Sequence, residues 1–295
     1  MRALLLLVAG ACVTAVAQAG ETFDRKVAAD AHGTVEISNV AGRVEVTGWD
    51  RPEVEVHGEL GPGAERIDVV SDKGRTTIRV VVPNHSFRSI ATTLEVHVPK
   101  DSELDVSGVS ADVTSIDVQG PLQLKSVSGD VRADAYQGNV EIKSVSGDVA
   151  VRGRGQNASL HLSTISGNIK ADHVGGDLEA TTISGELNFR LDTTHNVRIR
   201  STSGDVGLEN TVAKGGAVDV ESVSGDFIVR AKPEAGLDYE VSTFSGDIKD
   251  CMDGEVRMSH HGPGKRLTGS VGQNADGARI RLKTMSGDVE LCSRS

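Results

Sequence analysis

Aromatic residues make up only 3% of this 295-residue chain, with a single tryptophan, which removes most of the platforms on which sugars or bases stack. Proline is scarce at 7 residues, so the 34 glycines do not mark a disordered or collagen-like chain. Long apolar runs are missing beyond the first residues, and no later segment is apolar enough to span a bilayer. Cysteine is limited to Cys12, Cys251 and Cys292. Basic residues are outnumbered, 31 against 42 acidic ones, and that balance repels nucleic acid and anionic membranes.

What is present begins with a leader. Arg2 gives a positive start, Ala3 to Ala17 is apolar but shorter than the ~20 residues of a spanning helix, and Ala17-Gln18-Ala19 is a small-x-small cleavage site. Residues 1–19 are expected to be a signal peptide, with export to the periplasm or cell surface and no transmembrane segment in the mature chain. A lipidated Cys12 fits less well: Ala9-Gly10-Ala11 lacks the large apolar residue such a site carries, and Cys12 lies inside the apolar run. Cleavage removes Arg2 and Cys12, leaving a charge of 30 − 42 = −12 and the pair Cys251 and Cys292.

The body is a repeat. Ser-Gly followed by Asp, Asn or Glu recurs at Gly129, Gly147, Gly167, Gly185, Gly204, Gly225, Gly246 and Gly287, with successive spacings of 18, 20, 18, 19, 21, 21 and 41 residues. A period near 20 signals stacked supersecondary units. Aligned on the glycine, apolar residues fill the seventh and fifth places before it (Leu122 and Leu124, Val140 and Ile142 and their equivalents). With Thr202 as an exception they also fill the second place before (Val127, Val145, Ile165, Ile183, Val223, Phe244, Met285), and the second and fourth after. Steps of two mark strands with one buried face, the odd step marks a corner, and no 3.6-residue period appears. All five columns are therefore expected in the core. Length varies only at the opposite corner, where stretches such as Gly153-Arg154-Gly155 carry turn residues. The fold predicted is all-β: a parallel β-solenoid of about nine coils, right-handed because the uneven coil lengths argue against the strict left-handed hexapeptide helix.

Weaker copies of the template lie at Val35 to Val46 and at Leu104 to Val113. Between them, residues 47–103 lose the period but keep strand alternation, and are expected to form an antiparallel cap over the solenoid's open edge. The organisation expected is a signal peptide at 1–19, an N-terminal β region with the first coil at 20–103, and the solenoid at 104–295. A hairpin-like insertion falls at 252–279, where the template fails again.

The segment Ser38-Asn39-Val40-Ala41-Gly42-Arg43-Val44-Glu45-Val46-Thr47-Gly48-Trp49, the strand Leu94 to Val98 before Pro99, and the Ser-Gly-Asp coils resemble the bacterial putative-adhesin family. Gly262-Pro263-Gly264-Lys265 and Ala278-Arg279-Ile280-Arg281-Leu282 fit as well. The resemblance covers nearly the whole mature chain. It implies a β-solenoid exported to the cell envelope, often linked with envelope stress, and no established catalytic site.

Chemistry is sparse. Stacked aspartates with neighbouring serines could supply several oxygens to calcium, but Asn168 and Glu186 interrupt the column, and Asn keeps turn geometry while losing charge. Side chains bonded to corner backbone are the simpler reading. A serine in every coil is a hydroxyl ladder, whereas a catalytic serine is singular, and no histidine stands at a fixed place beside it. His260-His261 in a Gly/Pro loop reads as solvated, and Asn157-Ala158-Ser159 as an incidental glycosylation triplet. No catalytic residue, cofactor or metal is therefore expected. A polysaccharide lyase or hydrolase, or a purely structural envelope protein, stand as alternatives to an adhesin-like binding or scaffold surface for an unknown envelope protein or glycan.

Two further expectations follow from register. The fifth place after the glycine alternates in sign through Asp134, Arg152, Asp172, Arg190, Glu209 and Arg230, a surface charge ladder. Cys251 and Cys292 occupy that same place on their coils, and a disulfide between them requires those coils to be neighbours ~4.8 Å apart.

Overall fold

The structure is a computed structural model that describes residues 21–61, 63–83, 91–155, 157–252, 255–259, 264–272 and 277–294. The signal-peptide reading, the lipidation alternative at Cys12 and the His260-His261 loop lie outside those residues. Every element among the described residues is a strand. The N-terminal part supplies β1 (Glu21–Ala28), β2 (Thr34–Trp49), β3 (Glu53–Leu60), β4 (Arg66–Asp72), β5 (Arg75–Val81), β6 (Thr92–Pro99) and β7 (Glu103–Ile116). The middle supplies β8 (Leu122–Lys125), β9 (Val131–Ala135), β10 (Gly138–Lys143), β11 (Val149–Gly153) and β12 (Asn157–Ser163), then the long strands β13 (Ile169–Ser184), β14 (Leu187–Ser203) and β15 (Val206–Ser224), and β16 (Phe227–Pro233). The C-terminal part supplies β17 (Leu237–Ser245), β18 (Ile248–Cys251), β19 (Glu255–Ser259), β20 (Lys265–Val271), β21 (Ala278–Ser286) and β22 (Val289–Ser293).

Each coil is one strand before the glycine and one after it, and every coil pairs with its neighbours in parallel. Val140 of β10 lies opposite Leu122 and Leu160, and Val149 of β11 opposite Val131 and Ile169. Like residues therefore stack on like. The columns seven and five before the glycine, and two and four after it, fill one continuous core with Leu124, Ile142, Ile199, Phe189 and Phe227 almost wholly covered. Because both sheets turn their alternate residues inward, each buried aliphatic side chain adds about 1.5–3 kcal/mol of apolar burial.

The column two before the glycine is not in the core. Val127, Val145, Ile165, Ile183, Val223, Phe244 and Met285 are exposed, from 37% for Val145 to 58% for Phe244. The inward place is taken instead by the hydroxyl one residue earlier: Ser126, Ser144, Thr164, Thr182, Ser201, Ser222, Thr243 and Thr284 are all buried. The reason is local. A corner turns backbone N–H groups away from the sheet ladder, and they need acceptors. The Gly129, Gly147 and Gly167 N–H groups donate to the Ser126 and Ser144 Oγ and the Thr164 Oγ1 at 2.9–3.0 Å. From Gly185 onward the glycines take positive φ, and the N–H groups of Gly185, Gly204, Gly225 and Gly287 reach the serine carbonyl of the next coil. The hydroxyl ladder thus sits at Ser126 and its equivalents, while Ser128, Ser146 and Ser166 of the repeated motif are exposed.

The ends of the stack depart from chain order. β2 pairs with β7 on one side and with β5 and β6 on the other, all parallel, so the first coil is an inner one. Within residues 47–103, expected to be wholly antiparallel, β5 and β6 therefore supply one further parallel rung. Only β4 on β5, β3 on β6 and β1 on β3 run antiparallel. At the other end β21 lies between β15 and β17, and β22 between β16 and β18. The last coil in sequence is intercalated, and the coil of Gly246 is the outer one. Antiparallel β20 then covers β17, with β19 beyond it. Covering strands of this kind remove the open edge that would otherwise template further pairing.

Candidate functional site

The repeated acids are bound up in the corners. Asp112 Oδ1 accepts the Asp130 N–H at 3.0 Å, Asp130 accepts Asp148 at 3.1 Å, Asp148 accepts Asn168 at 2.8 Å, and Asn168 accepts Glu186 at 2.9 Å. Farther along, Asp205 accepts Asp226, Asp226 accepts Asp288, and Asp288 accepts Asp247 at 2.7–2.9 Å. Each side chain satisfies the backbone of the next coil rather than of its own turn. That order, 226 to 288 to 247, repeats the intercalation of the last coil.

The eight motif glycines hold the same corners for a second reason. A Cβ at Gly147 would strike the Gly129 carbonyl, one at Gly204 the Gly185 carbonyl, and one at Gly287 the Gly225 carbonyl. Close passage of backbone over backbone, more than positive φ, demands glycine there.

The outer face after the corner carries the charge ladder. Arg152 lies opposite Asp134 and Asp172, Arg190 opposite Asp172 and Glu209, and Arg230 opposite Glu209. Asp134 departs from the exposed pattern: it is buried beneath Arg154, which holds it at 2.5 Å. Nearby, the Tyr136 hydroxyl donates to Asp117 at 2.5 Å, and burial with that bond pushes its pKa up to about 12. In mid-face, Lys170, Asp172, Asn188, Arg190, Glu209 and Arg230 line a shallow groove with Gly207 on its floor. Lys170 pairs with Asp172 at 3.0 Å, and Arg294 reaches Glu209 at 3.3 Å. Asp172, Arg190, Glu209 and Arg230 are ladder residues expected from the sequence, whereas Lys170 and Asn188, from the row three after the glycine, were not expected beside them.

Cys251 and Cys292 lie opposite each other on β18 and β22, with Cα atoms 4.5 Å apart, a candidate disulfide. Their place is the one expected from register, but Cys292 is on the inner coil and Cys251 on the outer. The fourth place after Gly246, apolar on the other coils, holds Asp250. It accepts the Tyr239 hydroxyl at 2.9 Å and the Met252 N–H at 2.9 Å, and burial with the Asp250 bond drives the tyrosine pKa upward. The lone tryptophan, Trp49, is already engaged by His97, ring centroids 5.0 Å apart, and by Arg51 at 4.8 Å. No helix among the described residues is long and apolar enough to cross a membrane.

A family model described as Toastrack DUF4097 matches residues 34–292. No curated protein matches the chain. Among solved structures, a "putative cell adhesion protein" from Clostridium sporogenes is similar at 10% identity and a TM-score of 0.24, over 93% of this chain and 100% of its own. A "putative lipid binding protein" from Parabacteroides distasonis is similar at 13% identity and 0.47, over 92% and 97%. A "putative adhesin" from the same organism follows at 12% identity and 0.34, also over 92% and 97%.

Proposed function

We propose, for a chain that belongs to the Toastrack DUF4097 family, a non-enzymatic role as an exported cell-envelope protein whose lateral face binds or scaffolds an envelope protein or glycan. One observation carries this reading. The repeated groups that could do chemistry are engaged with the corner backbone: Asp112, Asp130, Asp148, Asp205, Asp226 and Asp288 accept backbone N–H groups, Ser126, Ser144 and Thr164 do the same, and Ser222, Thr243 and Thr284 donate to backbone carbonyls. The outer face is left with charges that alternate at each ~4.8 Å step, a pattern suited to an extended partner and repeated too often to be one reaction centre. Family membership and the leader expected at residues 1–19 support an envelope location, and a link to envelope stress fits that location. The test is capture from envelope extracts, with and without calcium, by the protein and by an Arg152→Glu, Arg190→Glu, Arg230→Glu variant. A defined partner kept by the protein and lost by the variant is expected, with no calcium dependence. Equal capture by both would sink the assignment to this face.

A polysaccharide-acting enzyme is favoured by a separate observation, the convergence of Lys170, Asp172, Arg190, Glu209 and Arg230 on one groove. Turnover of an envelope polysaccharide, abolished by Asp172→Asn or Glu209→Gln, would establish that reading in place of the first.

A further inference from the structure

The corner column that the core rejects forms a surface of its own. Val109, at 49% exposure, precedes the first Ser-Gly corner, and the column continues through Ile165 and Ile183, is interrupted by the exposed Thr202, and resumes with Val223, Met285 and Phe244. Stacked corners hold it straight: the Ser128, Ser146 and Ser184 N–H groups each bond the carbonyl of the column residue on the coil before. Eight large apolar residues at 37–58% exposure present roughly 700 Å², more than the largest patch of about 300–600 Å² on an ordinary monomer.

We propose that this column is the interface of a homodimer in which two copies lie side by side, related by a two-fold axis parallel to the stack. Area is the first argument. Two such columns together cover about 1,400 Å², inside the roughly 1,200–2,000 Å² of a specific interface. Charge sets the arrangement. On one flank of the column runs the acidic row after each glycine; on the other, four places before each glycine, stand Lys125, Lys143, Arg200 and Lys283. Each of these four belongs to a coil whose residue after the glycine is aspartate. A two-fold parallel to the stack sets every coil opposite itself and crosses the flanks, so each of these cations faces an aspartate of the second copy. Ser163 falls opposite Asn168. The one like-charged meeting is Glu221 with Asp226. A two-fold across the stack instead opposes one acidic row to the other, which disfavours it electrostatically. Long basic side chains can reach across a ridge, and the intervening serines are small and polar enough to tolerate the rim.

Sedimentation of the whole chain, purified as the producing cell processes it, tests the proposal at micromolar concentration. A dimer is expected. Ile165→Lys with Ile183→Lys should weaken it about 100-fold or more, since each copy then presses two charges into an apolar seam. Ile228→Lys, an exposed residue on the lateral face, should leave it within about twofold. Thermal unfolding of each variant separates loss of fold from loss of contact. Lys143→Asp should weaken the dimer, and Lys143→Asp with Asp148→Lys should restore it in part. Val127→Cys should link to itself under mild oxidation, because coil faces like coil. A monomeric native chain overturns the proposal, and so does a dimer indifferent to the lysine pair. Cross-linking at Ile183→Cys but never at Val127→Cys overturns the axis. Binding of the monomer to phosphatidylcholine–phosphatidylglycerol vesicles, lost with the lysine pair, would assign the column to lipid instead.

Discussion

Asn168 sits where neighbouring coils carry aspartate, yet its Oδ1 accepts a backbone N–H at 2.9 Å just as Asp148 does at 2.8 Å. The corner ladder therefore runs on an oxygen and needs no charge. Asp148→Asn is expected to change unfolding free energy by less than about 0.5 kcal/mol, and Asp148→Ala to cost roughly 1 kcal/mol, both read from denaturant midpoints. Chelation should move neither. Gly147→Ala is the severe change at this scale, because the added methyl meets the Gly129 carbonyl and neither backbone can retreat: a loss of about 2–4 kcal/mol is expected. His57 Nδ1 lies 2.6 Å from the Asp24 carboxylate, and that bond raises the imidazole pKa. Its tie between β1 and β3 is fully present below pH about 6.5 and is lost as pH rises through the higher folded value. Hydrogen exchange of β1 should accelerate over that rise, and His57→Gln should flatten the response. The column two before the glycine shows where residue-level reading fails. The apolar column was expected inward, but at Gly129, Gly147 and Gly167 the corner N–H needs an acceptor, so the hydroxyl one residue before the column turned in and the aliphatic side chain turned out. Burial of apolar residues is a tendency with many exceptions, and a tight corner leaves room for only one of the two.

Strand pairing was legible wherever the period held, because stacking like on like fixes register without further information. Alternating charges on Asp172, Arg190, Glu209 and Arg230 came out as one column for that reason. Spatial order was not legible where the chain leaves the stack. Nothing in residues 252–279 says on which side of the Gly246 coil the chain returns, and neighbours in sequence are only commonly neighbours in space. Cys251 and Cys292 stand opposite each other in either order, because both possible orders make their coils adjacent. Closing the 41-residue separation between them would stabilise by about 4 kcal/mol in the loop-entropy account. Non-reducing peptide mapping should find the linked peptides, and reductant should lower the melting temperature. Removing residues 278–295 should do more: the coil of Gly246 loses its partner on β21 and β22 and has no register on which to dock. Such a truncation is expected to lose protection in β17 and β18 together, where trimming a terminal coil would cost only its own bonds.

Among the described residues the core is one continuous cluster from Val35 to Leu291, without a break at which one part could open alone. Solenoids approximate a one-dimensional chain of neighbour contacts, and their end units ordinarily fray first. Here antiparallel strands cover β5, β6 and β17 of the outermost rungs, and the first and last coils of the sequence are held on both faces. Native-state exchange should accordingly show protection in β2 and β21 close to that of the central strands β13 and β14.

The same interleaving has a mechanical meaning. Tension applied at the C terminus reaches β22 and β21 first, and both are bonded to a coil on either side. They cannot peel away one bond at a time as an outermost rung would; the two flanking ladders must yield together. Pulled by its C-terminal end in an optical trap, the protein should hold until a single large rupture rather than unwind in steps of one coil. The truncated chain lacking residues 278–295 should give way stepwise at lower force. In mechanical terms the intercalated coil is a latch.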